Sequence, residues 1–481
     1  MNLAHIFVFT VIGVMAAVFA RWRPSLWSIV RPWVMLVVSV VALFWLQPGT
    51  PIRNLAFWLP IASLVFTAGT WAITQKIART ELRPTLITGL VIVAVVMLLA
   101  LLREVELPFT FLAARPPSEL LVVIGLVAGI GIVLLMGRAF NLKPRALTLG
   151  IVVLIGLLIA LKLEPITALL STGLRALNAQ NTAEASARDL SWLGFSYIAF
   201  RLIHALRERQ NGKLPAMSLR EFMIYVVFFP ALTAGPIDRS ERFIKDLRAP
   251  YSAEAADIAS ADALRRTLIG IFKKFALADT LALIALNEIN AGQLRPGLWA
   301  WVVVYAYALR IYFDFSGYTD IAIGLGRWFG IKLPENFNRP YLKPNLTQFW
   351  NSWHITLSQW FRAYWFNPLA RGLRKPSLHL TPVSMIFIGQ ASTMLLIALW
   401  HGITLNFIAW GVWHALGLFV HNRWADWSKT RGWAETSGAW GLLRQVGSII
   451  VTFHFVALGW IWFALPSLDL SVLTFRRLVG Q

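Results

Sequence analysis

Long apolar runs recur along the chain, and the polar loops between them alternate in charge. The first run, Leu3 to Ala20, is followed by Arg21, Arg23 and Arg31, and the second, ending near Leu46, by Arg53 alone. Lys76, Arg79 and Arg83 follow the third. The loop after the fourth is acidic on balance, with Arg103 and Arg115 against Glu104, Glu106 and Glu119. Arg138, Lys143 and Arg145 follow the fifth. After the sixth, Lys162, Arg175 and Arg188 are matched by Glu164, Glu184 and Asp189, and the seventh ends in Arg201, Arg207, Arg209, Lys213 and Arg220. Runs of about 20 apolar residues span a hydrocarbon core, and basic loops remain on the cytoplasmic side. The alternation predicts odd-numbered loops in the cytoplasm and an N-terminus outside. The first run lacks a basic leader, so it is expected to stay as a membrane span.

Two later stretches break the rhythm. Glu221 to Asp238 is apolar but short, is interrupted by Pro230, Gly235 and Pro236, and has basic residues on both flanks. It is predicted to enter and leave the membrane on the cytoplasmic side, since Pro breaks a helix and broken backbone is tolerated at membrane depth only where protein or a cavity satisfies it. Pro344 to Pro368 also has basic flanks. On one continuous helix, Trp350, Trp353, Leu357, Trp360, Phe361 and Tyr364 would share a face, with His354 at its edge and Asn351, Ser352, Thr356, Gln359 and Arg362 around the rest. Between these stretches, residues 249–263 read as a cytoplasmic loop. Leu264 to Ile289 starts as a basic amphipathic helix and becomes an outward span, and Leu298 to Leu325 returns. Arg310 and Asp314 in that returning span are four apart and can pair on one face. With spans near 382–400, 403–421 and 447–465, the expectation is an all-α polytopic membrane protein of about 12 crossings plus two re-entrant segments.

Composition supports this class: 57% of the 481 residues are hydrophobic and only 14% charged. The net charge of +21 gathers in short loops that suit an anionic bilayer surface, so it does not call for nucleic acid. The chain has no cysteine, which removes disulfides, thiolate metal ligands and a cysteine nucleophile.

The candidate chemistry centres on histidine. His401 lies inside the apolar stretch 395–414, LLIALWHGITLNFIAWGVWH, and an ionisable side chain at membrane depth is a functional candidate by default. A buried Asp314, Asp320 and His401 set would suit the proton relay of a transporter or flippase. A metal site would have to draw on His401, His414 and His421, of which the last two share a helix face.

The segments 313–330 (FDFSGYTDIAIGLGRWFG), 333–342 (LPENFNRPYL), 349–361 (FWNSWHITLSQWF) and 398–416 (ALWHGITLNFIAWGVWHAL) together resemble the membrane-bound O-acyltransferases. The resemblance covers roughly residues 190–465 and is similar to the branch containing the alginate O-acetylation acyltransferase and the teichoic-acid D-alanyl transfer protein. It divides the chain into N-terminal helices (1–189), a catalytic core (190–465) and a C-terminal tail (466–481), and implies helices around a central tunnel. It carries the family's signature histidine onto His401 and its second active-site histidine onto His354. Where the branch often has an acidic residue after the motif arginine, this chain has Ala363, and Ala370-Arg371-Gly372 stands in place of a glycine pair.

A histidine near neutral pKa suits removal of a proton from an alcohol attacking a thioester. The resemblance implies transfer of an acyl group, acetyl foremost, from acyl-CoA (acetyl-CoA) to a hydroxyl of an extracytoplasmic polysaccharide or a periplasmic acyl-accepting protein. His401 would be general base. His354 would orient the acceptor or stabilise the oxyanion, with Asn351 and Ser358 as helpers and Trp353 and Trp400 lining the site. Arg339, Lys343 and Arg362 would meet donor phosphates. No bound cofactor or metal is expected, and the location implied is the cell inner membrane.

Overall fold

The computed structural model describes residues 1–76, 79–105, 111–250, 253–431 and 438–481; Glu106 of the fourth loop lies outside the described residues. These residues are organised in helices, and the one extended pairing among them is an isolated antiparallel bridge between Phe337 and Trp353. Eight helices among the described residues are long and apolar enough to cross a membrane, or nine if one bent pair is a single span. The chain is therefore a multi-pass membrane protein, with fewer helices meeting that criterion than the number of crossings expected from loop charge. The sixth expected span is the first member of the bent pair, Pro144–Ala160, and the second, Glu164–Leu177, turned from it by 91°, falls in what loop charge predicts as the following loop. The chain divides into two compact units, residues 1–267 with 321–333, and residues 268–320 with 334–481.

The first unit contains α1 (Leu3–Trp22), α2 (Pro24–Trp45), α3 (Leu55–Thr74), α4 (Leu82–Leu101), α5 (Glu119–Phe140), α6 (Pro144–Ala160), α7 (Glu164–Leu177), α8 (Phe195–Gln210), α9 (Leu219–Val227), α10 (Ser240–Arg248) and most of α11 (Ala253–Ile271). The seventh expected span is α8, which at 16 residues is not among the helices long and apolar enough to cross a membrane, and its packing gives it a different role. Arg201 is buried and donates to the Val226 and Ala231 carbonyls, both at 2.7 Å. These carbonyls lie at the break predicted in the Glu221–Asp238 stretch, where α9 ends at Val227 and a single 3-10 turn, Phe229–Ala231, follows. The Phe229 N–H donates to Ser39 Oγ at 3.2 Å, and Tyr225 Oη to the Asp238 carbonyl at 3.0 Å. The break is stable because side chains take up the backbone groups that Pro230 and the lost helix leave open.

The second unit contains α12 (Asp279–Ala282), α13 (Glu288–Gln293), most of α14 (Leu298–Trp328), α15 (Leu346–Trp350), α16 (Ile355–Phe361), α17 (Asn367–Leu373), α18 (Pro382–His401), α19 (Leu405–Thr430), α20 (Gly438–Ala464) and α21 (Leu468–Leu478). The expected Arg310–Asp314 pairing is not formed. Asp314 instead binds Lys274 Nζ at 2.5 Å and Asp320 binds Lys273 Nζ at 2.6 Å. Both lysines sit on a π-helical turn, Phe272–Ala278. Partners forty and forty-seven residues away win over the local one because packing brings α14 and that turn together. Residues 466–481, read as a tail, mostly form α21, whose Leu478 carbonyl accepts from Trp301 Nε1 at 3.2 Å.

Candidate active site

The long helix expected over Pro344–Pro368 is not continuous. It is broken into α15, a bend at residues 351–354, α16 and a π-helical turn, Arg362–Phe366. His354 occupies the break, at φ 41° and ψ 54°, as the residue preceding α16. A left-handed backbone at a non-glycine residue costs about 1–3 kcal/mol and persists only where surroundings over-determine it.

The surroundings here are residues 336–338. The Ile355 N–H donates to the Asn336 carbonyl at 3.0 Å, and the Asn338 N–H to the Ser352 carbonyl at 3.0 Å, flanking the Phe337–Trp353 bridge. Fully buried Asn336 completes the clamp with its side chain: Oδ1 accepts from the Thr356 N–H at 3.2 Å and from Thr356 Oγ1 at 2.6 Å. His354 Nδ1 lies 3.4 Å from the same oxygen. An oxygen that already accepts a backbone N–H can only accept, so this contact requires the proton on Nδ1. His354 Nε2, buried and without a hydrogen-bond partner, is then the bare nitrogen.

His401 is the last residue of α18 and is half-buried. Its ring packs edge-on against Trp400 at 4.5 Å, Phe463 at 4.9 Å and Trp410 at 5.7 Å, and lies nearly parallel to Phe407 at 6.0 Å. The turn that follows depends on Gly402, because a Cβ there would stand 2.5 Å from the Phe407 ring. Trp400 also faces His354 at 6.3 Å. One indole therefore touches both imidazoles.

The structure places the other sequence candidates unevenly. Trp353 is buried against Phe349, Phe337, Tyr341 and Trp460, at 5.0–5.7 Å. Ser358 Oγ reaches only the Trp353 carbonyl, at 3.5 Å. Asn351 is exposed and accepts from Arg362 Nη2 at 2.6 Å, so these two bind each other. Arg339 is exposed and Lys343 half-buried, on either side of a single 3-10 turn, Pro340–Leu342. Asp314 and Asp320, the carboxylates of the relay alternative, are each held by a lysine.

One residue of the site, Asn336, escaped sequence reasoning, whereas His414 entered it only as a member of a possible metal set. Asn336 sits in the ENFN run that supports the family resemblance, and that run was its available signal. His414 is buried with both ring nitrogens unbonded, boxed by Phe349, Trp350, Trp410, Phe455 and Trp460. No group of three His, Cys, Asp or Glu side chains arranged for a metal ion occurs among the described residues.

Comparison with known proteins places this geometry in context. The family model described as MBOAT, membrane-bound O-acyltransferase family, matches residues 142–458. The chain is 32% identical over 279 residues to the teichoic acid D-alanyltransferase of Bacillus subtilis, covering 57% of this chain and 69% of that protein. It is 34% identical over 281 residues to a probable alginate O-acetylase AlgI of Pseudomonas fluorescens, covering 58% and 52%. It is 32% identical over 286 residues to the peptidoglycan O-acetyltransferase of Helicobacter pylori, covering 57% and 51%. The chain thus spans about half the length of the latter two.

Proposed function

The chain belongs to the membrane-bound O-acyltransferase family, and on that premise we propose that it transfers an acyl group, acetyl foremost, from a cytoplasmic acyl-CoA to a hydroxyl outside the cytoplasm. The acceptor is an envelope polysaccharide or a periplasmic acyl-accepting protein, and the chain sits in the inner membrane with its N-terminus outside. The relatives named for teichoic acid, alginate and peptidoglycan support a polymer acceptor, and the alternating loop charge supports the orientation.

The observation that carries the reading is the pair of imidazoles sharing Trp400. In the proposed step the acceptor oxygen attacks the thioester carbonyl while its proton passes to His401. The tetrahedral intermediate then expels the thiolate as the C–S bond breaks, and the thiolate takes the proton from His401. This direct route needs no acyl-enzyme, consistent with a chain that contains no cysteine. The bare Nε2 of His354 is suited to accept a hydrogen bond from the acceptor hydroxyl, which favours an orienting role over oxyanion stabilisation. Of the basic residues, Arg339 and Lys343 suit the donor phosphates better than Arg362, which Asn351 already engages.

The test is labelled acetyl transfer from acetyl-CoA to envelope polysaccharides by purified protein in proteoliposomes. His401→Ala is expected to abolish transfer while the amount of inserted protein is unchanged. Transfer near the wild-type rate by His401→Ala would remove the general-base role.

A further inference from the structure

A second feature of the same unit lies away from the two imidazoles. Between α19 and α20 runs a cavity of about 730 Å³, open along one side. Its walls are almost wholly apolar, and Leu416, Val420 and Val451 in those walls are 50%, 64% and 70% exposed. The α20 wall belongs to a helix apolar enough to cross the membrane. Along a helix that crosses a bilayer the solvent at such a slot is hydrocarbon, and water within an apolar slot is unfavourable.

The two ends of the slot differ. One end carries Arg444, within the first two turns of α20, with His421 and Trp424 of α19 opposite. The other is closed by Trp413, Phe455 and Leu346. From Trp413 to Trp424 is eleven residues, or about 16 Å of helix. That length matches one leaflet of a hydrocarbon core about 30 Å thick. An interfacial tryptophan beside an arginine at one end and aromatic rings at the other reproduces the profile of a lipid, from charged headgroup to chain terminus.

We propose that this groove is a binding site for one anionic phospholipid, with its phosphate at Arg444 and an acyl chain lying between α19 and α20 as far as Phe455. The groove floor gives this occupancy a consequence. Leu346 opens α15, the helix that leads to His354, and a Cβ at Gly417 would meet Phe455 at 2.3 Å and Leu346 at 2.7 Å. A chain filling the slot packs against the side chains that seat α15. Gly447 lies on the opposite wall, and nothing stands within 4 Å of where its Cβ would be. A large side chain there can occupy the groove in place of the lipid.

Native mass spectrometry of protein extracted from vesicles of equal phosphatidylglycerol and phosphatidylethanolamine tests the assignment. Wild-type protein is expected to retain a single phosphatidylglycerol in preference to phosphatidylethanolamine. Gly447→Phe should reduce that retention at least tenfold, and Arg444→Gln should abolish the headgroup preference while a lipid is still held. Each variant is compared with wild type by size exclusion and thermal unfolding, and Arg444→Gln carries the test should Gly447→Phe misfold. Equal retention of the two lipids by wild type, no retained lipid, or undiminished retention in a folded Gly447→Phe would overturn the proposal. None of these readouts requires acyl transfer.

Discussion

Replacing Asn336 by leucine removes the acceptor that holds His354 in its left-handed conformation. The side-chain oxygen of Asn336 takes two hydrogen bonds from Thr356, at 3.2 and 2.6 Å, and faces His354 Nδ1 at 3.4 Å. A buried donor left without its partner costs roughly 1–3 kcal/mol, so the two Thr356 donors together stand for about 2–6 kcal/mol. The φ of 41° at His354 stores about 1–3 kcal/mol that these bonds must outweigh. Without them the bend can relax and carry the His354 ring away from Trp400. A net loss of about 3 kcal/mol from the working geometry corresponds to roughly a hundredfold fall in rate. Thr356→Val removes only the hydroxyl donor and should cost about tenfold or less. The assay is steady-state acyl transfer in proteoliposomes, with kcat and KM separated. Asn336→Leu is expected to lower kcat with KM close to wild type, whereas loss of folded protein would lower the active fraction instead. ¹⁵N-histidine NMR should report the Nδ1-protonated tautomer in wild type and its loss in the variant. Wild-type kcat in Asn336→Leu would refute the claim that this clamp positions His354.

Lys273→Ala leaves Asp320, whose side chain is 6% exposed, without its ammonium partner. Removing one member of a buried pair costs about 3–5 kcal/mol, so thermal unfolding in detergent should shift down clearly, and the double variant Lys273→Met/Asp320→Leu should recover much of the shift. In the first unit, Asp189 is buried between Ser171 and Arg175, at 2.7 and 2.8 Å. Burial pushes its carboxyl upward, but hydrogen bonds from Ser171, Arg175 and the Ser186 amide outweigh it and hold Asp189 below the ordinary 3.8. A depressed carboxyl adds stability above its unfolded pKa and loses it as pH falls through the folded value. Wild type should therefore lose melting temperature more steeply than Asp189→Asn as pH drops below about 4; parallel curves would contradict this.

How much of this was legible beforehand varies with the range of the interaction. Span-length apolar runs and loop charge announced a multi-pass helical protein, because a bilayer imposes length and polarity on each segment separately. The break after Val227 was legible for the same reason, since Pro230 acts on its own helix. The break at His354 was not. No glycine or proline lies between Leu346 and Asn367, and the bend is imposed by the pairing of residues 336–338 with residues 352–355. The spacing of Arg310 and Asp314 suggested a local pair, but spacing cannot weigh a lysine forty residues away that packing delivers at 2.5 Å.

The sequence by itself determined the class of molecule, the two histidines worth attention and the family words around them, since these depend on residue type and neighbours along the chain. Only the tertiary structure decided that one indole touches both imidazoles, which ring nitrogen of His354 is bare, that Asn351 and Arg362 bind each other, and that a lipid-length groove lies between α19 and α20. Each of these depends on contacts between residues distant in sequence, and their geometry is a property of the packed state.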